Sequence, residues 1–550
     1  MPGAERDRKI KEMNNMGRKV DIYDTTLRDG MQGLEINFTL DDKLAIAHAL
    51  DEAGFDYIEG GFPLSNEKEA EFFRRCRNEH FKHAHIVAFG STRGPGHKAN
   101  EDSHIRALVE AETPAVIVVG KTWKAHVDKV LRCSYEENLE MIRDSVAFLH
   151  SEGRTVFFDC EHFFDGFRDD PEYALEVVQA AESGGAHCVI PCDTNGGTLP
   201  TDVAKAYDYI RAHTDVPLGG HFHNDCGTAV ANSIAAVEHG ATQIQGTING
   251  WGERCGNANL CAFVPNLVLK MDGYECNAAE QLSHITPLSR FVAEKANVIP
   301  DKRQPYVGVA AFSHKAGQHA DVLAKESSLM EHIDGSLVGN ERRVLLSELA
   351  GRSTIVDKLK PYGDFSKKSP EVEQLVETLK AREREGYEYE AAEGSFDLLM
   401  RRVIGQYKPL VVLRNYHLET YKTADVESKT VGRMFLASEG KEIMGAATAV
   451  GPVETLDDAL RDALGPHHPW LENVHLVDYR VRVLNPEQDT SAKVRVFISS
   501  SDHNHTWDTV GVHENIVEAS WEALVDSLEY YYNTFVLEKE SGKPETGAAS

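Results

Sequence analysis

Short apolar runs alternate with amphipathic stretches through the first half of the chain. The intervening stretches predict helices: in Asp41–Ala53, apolar residues recur at helical spacing after an acidic first turn, and Gly54 follows. Pro171–Glu182 and Val230–His239 show the same pattern, each followed closely by glycine. Eight runs rich in β-branched and aromatic residues predict strands at Val20–Tyr23, Tyr57–Glu59, His85–Ala88, Ala115–Val119, Thr155–Phe158, Cys188–Ile190, Leu218–His221 and Thr242–Gln245.

This alternation predicts a fold of the α/β class, a TIM (β/α)8 barrel. Strands separated by helices pair in parallel through right-handed crossovers, and eight such units in about 250 residues match a closed barrel. An open doubly wound sheet is the competing architecture, and it usually carries a glycine-rich nucleotide loop after its first strand. No such loop follows Val20–Tyr23. The pattern therefore favours the barrel.

The second half of the chain has a different pattern. Residues 285–410 read as helical and charged, with a linker-like segment at Lys360–Pro370. From residue 411 onward we interpret the sequence as a duplicated βββα unit, typical of a regulatory or oligomerising α+β domain; a plain α+β packing domain is the alternative. The first copy has strand-like runs at Leu410–Leu413, Tyr416–Tyr421, Val431–Leu436 and Gly445–Val450 and a helix at Leu456–Leu464. The second has strand-like runs at Val477–Leu484, Ala492–Ser499 and Thr509–Val512 and a helix at Val517–Tyr530.

These patterns divide the 550 residues into five segments. We predict an N-terminal extension at 1–18 and a catalytic barrel at 19–284. Helical subdomains follow at 285–410, then an α+β regulatory and dimerisation domain at 411–539 and a disordered tail at 540–550.

The acidic composition argues against nucleic-acid and membrane partners. Lys and Arg number 58 against 87 Asp and Glu, so the net charge of -29 repels phosphate backbones and anionic lipid. The 9 cysteines are odd in number and include no C-x-x-C spacing, which indicates reduced thiols in the cytoplasm. No apolar run approaches membrane-spanning length, and residues 1–19 lack the hydrophobic stretch of a secretory signal.

Polar residues cluster where the predicted barrel strands end, which is where TIM-barrel active sites lie. His221 and His223 are two residues apart at a strand end, so both side chains project to the same side. With Asp29 as a third ligand, they predict a divalent metal site with positions open for substrate. Mixed nitrogen and oxygen ligands suit Zn²⁺, Mn²⁺ or Co²⁺, and Mg²⁺ is a further candidate. Hydrogen-bonded structural histidines are the alternative.

Arg28, Glu161 and a glycine-rich loop complete the candidate chemistry. Arg28 precedes Asp29 and would set a fixed positive fork over a developing enolate or alkoxide; a salt bridge at the barrel top is the alternative. Glu161 is a candidate general base or acid, or else a hydrogen-bond partner of the metal histidines. Gly250–Gly256 brings backbone N–H groups together and suits a thioester oxygen or a phosphate, although a glycine-rich loop is weak support.

Taken together, these motifs resemble the 2-isopropylmalate, homocitrate and citramalate synthase family over nearly the whole chain. The matching motifs are Asp24–Gln32 (DTTLRDGMQ), Gly220–Asp225 (GHFHND), Gly252–Asn257 (GERCGN), Gly451–Val453 (GPV) and Thr509–Ser520 (TVGVHENIVEAS). The likeness is closest to the citramalate synthase group. It is carried by Tyr57–Asn66 (YIEGGFPLSN), Glu161–Gly166 (EHFFDG), Asp193–Pro200 (DTNGGTLP), Glu331–Asn340 (EHIDGSLVGN) and Leu346–Ser353 (LSELAGRS).

The resemblance implies an acyltransferase that condenses acetyl-CoA with pyruvate and hydrolyses the thioester, on a threonine-independent route to isoleucine. It also implies an obligate homodimer, with isoleucine as the expected effector. Arg28 would polarise the keto oxygen, and Thr194 would hold the keto-acid carboxylate. Glu161 would belong to the acid–base machinery, and His319 would reach the partner subunit's active site. The implied metal ligands are Asp29, His221, His223 and Asn257.

The chain departs from the family pattern at Met330, and three other functions stay open beside the main one. About eleven residues after the His319 position the family usually has a tyrosine before Glu-His, whereas this chain has Met330, which cannot donate a proton. One alternative is a 2-isopropylmalate synthase using 2-ketoisovalerate, which differs by pocket size. A hydroxymethylglutaryl-CoA lyase type is a second, although its reactive cysteine lies in a longer glycine loop. An amino-acid sensor with a catalytically dead barrel is a third, and the intact Arg28 and Asp29 argue against it.

Overall fold

Eight parallel strands close into a barrel in the first half of the chain, as predicted. The computed structural model describes residues 17–314, 330–344, 352–423, 426–484, 492–502 and 505–537. The barrel strands are β1 (Asp21–Asp24), β2 (Tyr57–Gly61), β3 (His85–Ser91), β4 (Ala115–Lys121), β5 (Thr155–Glu161), β6 (Cys188–Asp193), β7 (His221–Phe222) and β8 (Gln243–Gly246). Each strand pairs with its neighbours in parallel, and β1 pairs with β8 to close the ring.

Helices surround the barrel, and several of them begin at a side chain that caps them. The Thr39 side chain accepts from the backbone N–H of Asp42, and Asp42 returns the contact in a capping box. Gly54 follows this helix with φ +79°, the left-handed conformation that favours glycine. The helices of this unit are α1 (Leu40–Glu52), α2 (Glu67–Cys76), α3 (Ser103–Glu110), α4 (Tyr135–Ser151), α5 (Phe163–Asp169), α6 (Pro171–Gly184), α7 (Pro200–Arg211), α8 (Ala229–Glu238), α9 (Leu260–Lys270) and α10 (Ile285–Lys295).

The barrel interior is apolar over most of its length and polar toward the carboxyl ends of its strands. One large cluster of buried residues fills the space between strands and helices. A second, smaller cluster fills the barrel itself and consists of Tyr23, Val87, Ala115, Ile117, Phe157, Cys188, Ile190 and Cys192. Toward the carboxyl ends of the strands the interior side chains become polar, with Glu59, Asp159 and Gln245 all buried. The apolar cluster thus supports a buried polar layer under the barrel mouth.

The chain divides into two units, the barrel unit (Met1–Phe312 with Ile333–Arg342) and a second unit (Ser313–His332 with Arg343–Ser550). Two antiparallel three-stranded sheets, each followed by a helix, confirm the duplicated βββα pattern in the second unit. The first copy is β9 (Val412–Thr423), β10 (Val426–Ser438), β11 (Lys441–Ala449) and α14 (Pro452–Leu464). The second is β12 (His475–Val483), β13 (Val494–Ser501), β14 (Thr506–His513) and α15 (Ile516–Tyr531). Three helices precede them, α11 (Arg352–Leu359), α12 (Pro370–Glu385) and α13 (Glu393–Val403).

Two features differ from the sequence prediction. The expected separate strands at Leu410–Leu413 and Tyr416–Tyr421 are one strand, β9, with an irregular register between Leu413 and Asn415. A bulge of this kind interrupts the apolar alternation without ending the ladder. Pairs of two-residue strands were also not predicted: Arg18–Lys19 pairs with Tyr274–Glu275, and Ser313–His314 pairs with Arg343–Val344. Two-residue strands carry too little pattern to be recognised.

None of the helices within the described ranges is long and apolar enough to cross a membrane.

A glycine in the third strand of each copy lets the following helix approach closely. A Cβ on Gly445 would collide with the backbone carbonyl of Ala459 in α14, and one on Gly511 with that of Ala519 in α15. Both helices bury one face against their own sheet, so neither can move away without opening the core. The equivalent placement supports the duplication.

We expect Gly511→Ala and Gly445→Ala each to lower the free energy of unfolding of the second unit by about 1–3 kcal/mol, because backbone atoms must shift to admit the methyl group. Gly451→Ala is the control, since a Cβ there meets no atom within 4 Å and φ is an ordinary -132°. Urea unfolding followed by tryptophan fluorescence measures the difference. Equal stability of all three variants would show that the close approach is not limiting.

Candidate active site

Three predicted ligands meet at the barrel mouth. Asp29 follows β1, and His221 and His223 lie at the end of β7, all buried. The His221 and His223 Nε2 atoms are 3.3 Å apart. Asp29 Oδ2 lies 3.6 Å from the His221 Nε2 and 3.9 Å from the His223 Nε2. Three lone-pair atoms thus converge on one point, which is the arrangement that a single cation requires.

The charge states of these groups also suit a cation. Burial lowers the pKa of His221 to about 3 and lowers that of His223, so both rings are neutral and keep a lone pair. Burial alone would raise the pKa of Asp29, but the Arg28 guanidinium overrides it and holds this pKa at about 2. One carboxylate and two neutral imidazoles form a mixed oxygen and nitrogen donor set.

Asn257 supplies an acceptor that the protein itself leaves unused. Its Nδ2 donates to Asp29 Oδ1 at 3.1 Å and to the Trp251 carbonyl at 3.0 Å. Its Oδ1 is buried and has no hydrogen-bond partner among the described residues. A buried amide oxygen without a partner is costly unless something else satisfies it. The residues present therefore fit a divalent metal.

Gly252 lets the loop after β8 pass close to these ligands. Its φ is +150°, and a Cβ there would strike the Asn257 Nδ2 and lie 3.2 Å from Asp29 Oδ1. The glycine of the G-E-R motif is thus required for the loop to reach the metal site.

Arg28 is held rigidly beside the three ligands. Its Nη1 lies 2.9 Å from Asp29 Oδ2, and its Nε donates to Glu59 Oε1. Glu59 is fully buried and also accepts from the Tyr23 hydroxyl at 2.7 Å. The guanidinium carbon lies 4.2 Å from the Phe89 ring centroid. The guanidinium group can neither rotate nor move away without leaving the buried Glu59 carboxylate without its charged partner.

Glu161 and Thr194 lie at the same end of the barrel. Glu161 ends β5 and pairs with Lys121, which ends β4. Thr194 Oγ1 accepts from the backbone N–H of His162 at 2.8 Å, so its own hydroxyl proton is available to another group. The structure thus places the predicted Glu161 and Thr194 on adjoining segments. The predicted His319 lies outside the described residues.

Arg254, which the sequence analysis did not single out, connects three loops. It makes two contacts to Asp225, Nε to Oδ1 at 2.8 Å and Nη2 to Oδ2 at 3.0 Å. Its Nη2 also donates to the Thr194 carbonyl at 2.7 Å. The loops after β6, β7 and β8 are therefore tied by one side chain. The sequence analysis also missed Lys121, Glu59 and Gln245. Each is a charged or amide residue in an otherwise apolar strand, and that pattern could have identified them.

Three known protein families match successive parts of this chain. Residues 19–292 match the HMGL-like family, residues 306–386 the homocitrate synthase post-HMGL domain-like family, and residues 390–532 the LeuA allosteric (dimerisation) domain.

Relatives that match nearly the whole chain narrow this family assignment. An (R)-citramalate synthase of Aquifex aeolicus is 47% identical, covering 94% of this chain and 98% of that protein. One from Geobacter sulfurreducens is 45% identical, covering 93% of this chain and 97% of that protein. The chain belongs to the (R)-citramalate synthase family. A probable 2-isopropylmalate synthase of Methanopyrus kandleri is a more distant relative, at 33% identity over 93% of this chain and 98% of that protein.

Membership in the citramalate synthase family confirms the predicted enzyme class, an acyltransferase on a TIM barrel with a LeuA-type domain. The lyase alternative accounts only for the barrel, because the HMGL-like match ends at residue 292. The sensor alternative requires a degraded site, whereas Arg28, Asp29, His221 and His223 form an intact cluster.

We expect Arg254→Gln to loosen the three loops that Arg254 ties together while leaving the barrel folded. Losing charge-assisted hydrogen bonds worth about 1.5–3 kcal/mol should speed local amide exchange roughly 10–100-fold after β6 and β7. Hydrogen exchange followed by mass spectrometry measures this. Arg168→Gln, at the same barrel end, is the control, because Arg168 makes a single 3.5 Å contact to Asp165 and is 64% exposed. Unchanged exchange in Arg254→Gln would mean that the loops are held by other contacts.

Proposed function

We propose that this protein condenses acetyl-CoA with pyruvate and hydrolyses the thioester, releasing (R)-citramalate and free CoA. Identity of 42–47% to (R)-citramalate synthases over nearly the whole chain carries the proposal. The named 2-isopropylmalate synthases reach 33% and 30%. This reaction would open a threonine-independent route to isoleucine.

Asp29, His221, His223 and Asn257 would hold a divalent metal, Zn²⁺, Mn²⁺, Co²⁺ or Mg²⁺. When bound, such an ion supplies Lewis-acid polarisation and a template for the keto acid. The buried, partnerless Oδ1 of Asn257 supports this role for the amide.

Arg28 and Thr194 would bind and orient pyruvate. The Arg28 guanidinium is fixed by Glu59 and Asp29, so it offers preorganised donors where negative charge develops on the keto oxygen. The Thr194 hydroxyl accepts the His162 N–H and can therefore donate its own proton to the pyruvate carboxylate.

Glu161 would take part in proton transfer at the acetyl methyl group. That methyl carbon must lose a proton before it forms the new bond to the keto carbon of pyruvate, and the resulting alkoxide must gain one. Lys121 holds the Glu161 carboxylate at the barrel rim, which supports a defined position for the base. Water then cleaves the thioester, and CoA leaves with a proton on sulfur. We propose His319, from the segment 285–410 of a partner subunit, as a second participant.

Free-thiol release measures this reaction directly. With acetyl-CoA and Mn²⁺ or Mg²⁺, we expect kcat/KM for pyruvate to exceed that for 2-ketoisovalerate by about 10–200-fold. The isopropyl group of 2-ketoisovalerate would have to enter a pocket shaped for the single methyl group of pyruvate. 2-Ketoglutarate is the negative control. Preference for 2-ketoisovalerate would assign the protein to 2-isopropylmalate synthesis instead. No release with any keto acid would support the sensor alternative and make Met330→Tyr the next variant.

We also propose a homodimer formed through the second unit, with isoleucine as its effector. The match to the LeuA allosteric (dimerisation) domain supports both. In β10 the residues alternate, with Met434 and Leu436 buried toward α14 while Val431 and Phe435 are 42% and 38% exposed on the opposite face. Phe435 pairs across the strands with Met444, which is 58% exposed. A second copy of the chain would cover this apolar face.

Light scattering is expected to give twice the chain mass of 61.0 kDa. The double variant Phe435→Arg with Met444→Arg should be monomeric and should lose turnover, because the partner subunit would no longer supply His319. In the wild type, millimolar isoleucine should lower CoA release and raise the melting temperature. A monomeric wild type would contradict the dimer, and unchanged rate and melting temperature would contradict isoleucine as effector.

We further propose a cytoplasmic location, which cell fractionation tests. It is supported by the nine cysteines, all of which are free thiols.

A further inference from the structure

Gln245 occupies a position that the proposed chemistry does not by itself explain. It lies on β8, is completely buried, and points into the polar layer beneath the barrel mouth. Its Oε1 is 2.9 Å from the Nδ1 of His221. Its Nε2 is 3.3 Å from Oδ1 of Asp159, another buried interior residue. The amide thus connects a carboxylate deep in the barrel to one of the two histidines of the metal site.

We propose that Gln245, oriented by Asp159, is a positioning residue that fixes the tautomer and ring orientation of His221 for metal binding. The inference rests on the metal centre of the proposed function and adds a residue that sets its affinity.

The tautomer follows from the identity of the atom that faces Nδ1. A neutral imidazole carries one N–H and one lone pair, and an imidazole that binds a metal ion is neutral. An amide oxygen can only accept, so the proton must lie on Nδ1. The lone pair then lies on Nε2, the atom that faces Asp29 Oδ2 at 3.6 Å and the His223 Nε2 at 3.3 Å. With the opposite tautomer, the Nε2 proton would occupy the cation's place.

Asp159 determines which end of the Gln245 amide faces His221. A glutamine side chain can place either its oxygen or its NH₂ group toward a given neighbour. A carboxylate oxygen attracts the NH₂ group, so the Asp159 contact turns the amide oxygen toward Nδ1. Rotation of the amide by half a turn would remove the donor that faces Asp159 Oδ1 and would present donors to Nδ1. The contact of Gln245 with Asp159 therefore fixes its contact with His221.

The second histidine has no comparable support. The Nδ1 of His223 is buried without a hydrogen-bond partner among the described residues. Control of the ligand tautomer is thus concentrated on His221. Partners of this kind, placed behind a ligating histidine, typically change metal affinity 10–100-fold when removed.

A matched pair of glutamines on the same strand provides the test. Gln243 lies two residues before Gln245, so it projects to the same side of β8; it is 2% exposed, and its Oε1 has no partner among the described residues. Competition with a chromophoric chelator on the full-length, metal-stripped protein would give the dissociation constants for Zn²⁺ and Mn²⁺. The variants are Gln245→Met, Gln245→Glu and Gln243→Met, with His221→Ala as the loss-of-ligand reference.

We expect Gln245→Met to weaken metal binding about 10–100-fold, because methionine fills the space but accepts no hydrogen bond from Nδ1. Gln243→Met should bind metal as the wild type does. Gln245→Glu keeps an acceptor for Nδ1 but loses the NH₂ donor to Asp159, so its affinity should lie between those of the wild type and Gln245→Met. The melting temperature of each metal-free variant separates loss of affinity from loss of folding.

Wild-type affinity in Gln245→Met would overturn the inference. Equal losses in Gln245→Met and Gln243→Met would also overturn it, because the role would then be packing in the barrel interior and not hydrogen bonding to His221. Failure of the wild type to bind any divalent cation would overturn the metal centre itself. That outcome is distinguishable, since it precedes any comparison between variants.

Discussion

The active end of the barrel depends on the burial of the Arg28 guanidinium between two carboxylates. Glu59 holds its Nε and Asp29 its Nη1, and the Phe89 ring covers the guanidinium face. Removing either carboxylate would leave a buried cation partly unpaired, which is strongly destabilising. The same positive charge keeps Asp29 ionised beside two neutral histidines. The proposed metal ligands and the proposed oxyanion donor, Arg28, are therefore one electrostatic unit.

The barrel interior explains how such a unit can be buried. Its lower part is filled by apolar side chains such as Ile117 and Phe157, which exclude water and fix the strands. Above them Glu59, Asp159 and Gln245 form a polar layer in which hydrogen bonds run from strand to strand. A buried polar network is favourable only when its members are satisfied. The lone pairs of His221 and His223 converge beside Asp29, where a cation would satisfy them, and the partnerless Oδ1 of Asn257 belongs to a side chain that contacts Asp29.

The sequence predicted the fold well because barrel strands and helices have distinct apolar periods. All eight predicted barrel strands have a counterpart, but several were predicted too short, and Leu218–His221 was predicted too early, since β7 is His221–Phe222 and Leu218 makes only isolated bridges. The run Thr155–Phe158 was predicted to end where it becomes polar, whereas β5 continues to Glu161 with Asp159 facing inward. Polar residues at strand ends interrupt the apolar pattern where function resides. Pairs such as Lys121 with Glu161 join separate strands, and a single sequence does not show how close two such residues lie in the fold.

In the second unit, helix α15 connects the second βββα copy to helix α13. Its carboxyl groups Asp526 and Glu529 are buried and Glu522 is half-buried, and desolvation raises the pKa of each. Arg402 of α13 lies 2.9 Å from Asp526 and 3.5 Å from Glu529. The Ser395 hydroxyl of the same helix donates to Asp526 at 2.7 Å. Because Asp526 and Glu529 are buried, a displacement of α15 without α13 would leave their carboxyl groups without these partners. A ligand that shifts α15 against its sheet would therefore also shift α13, the last helix of the segment that we propose completes the partner's active site.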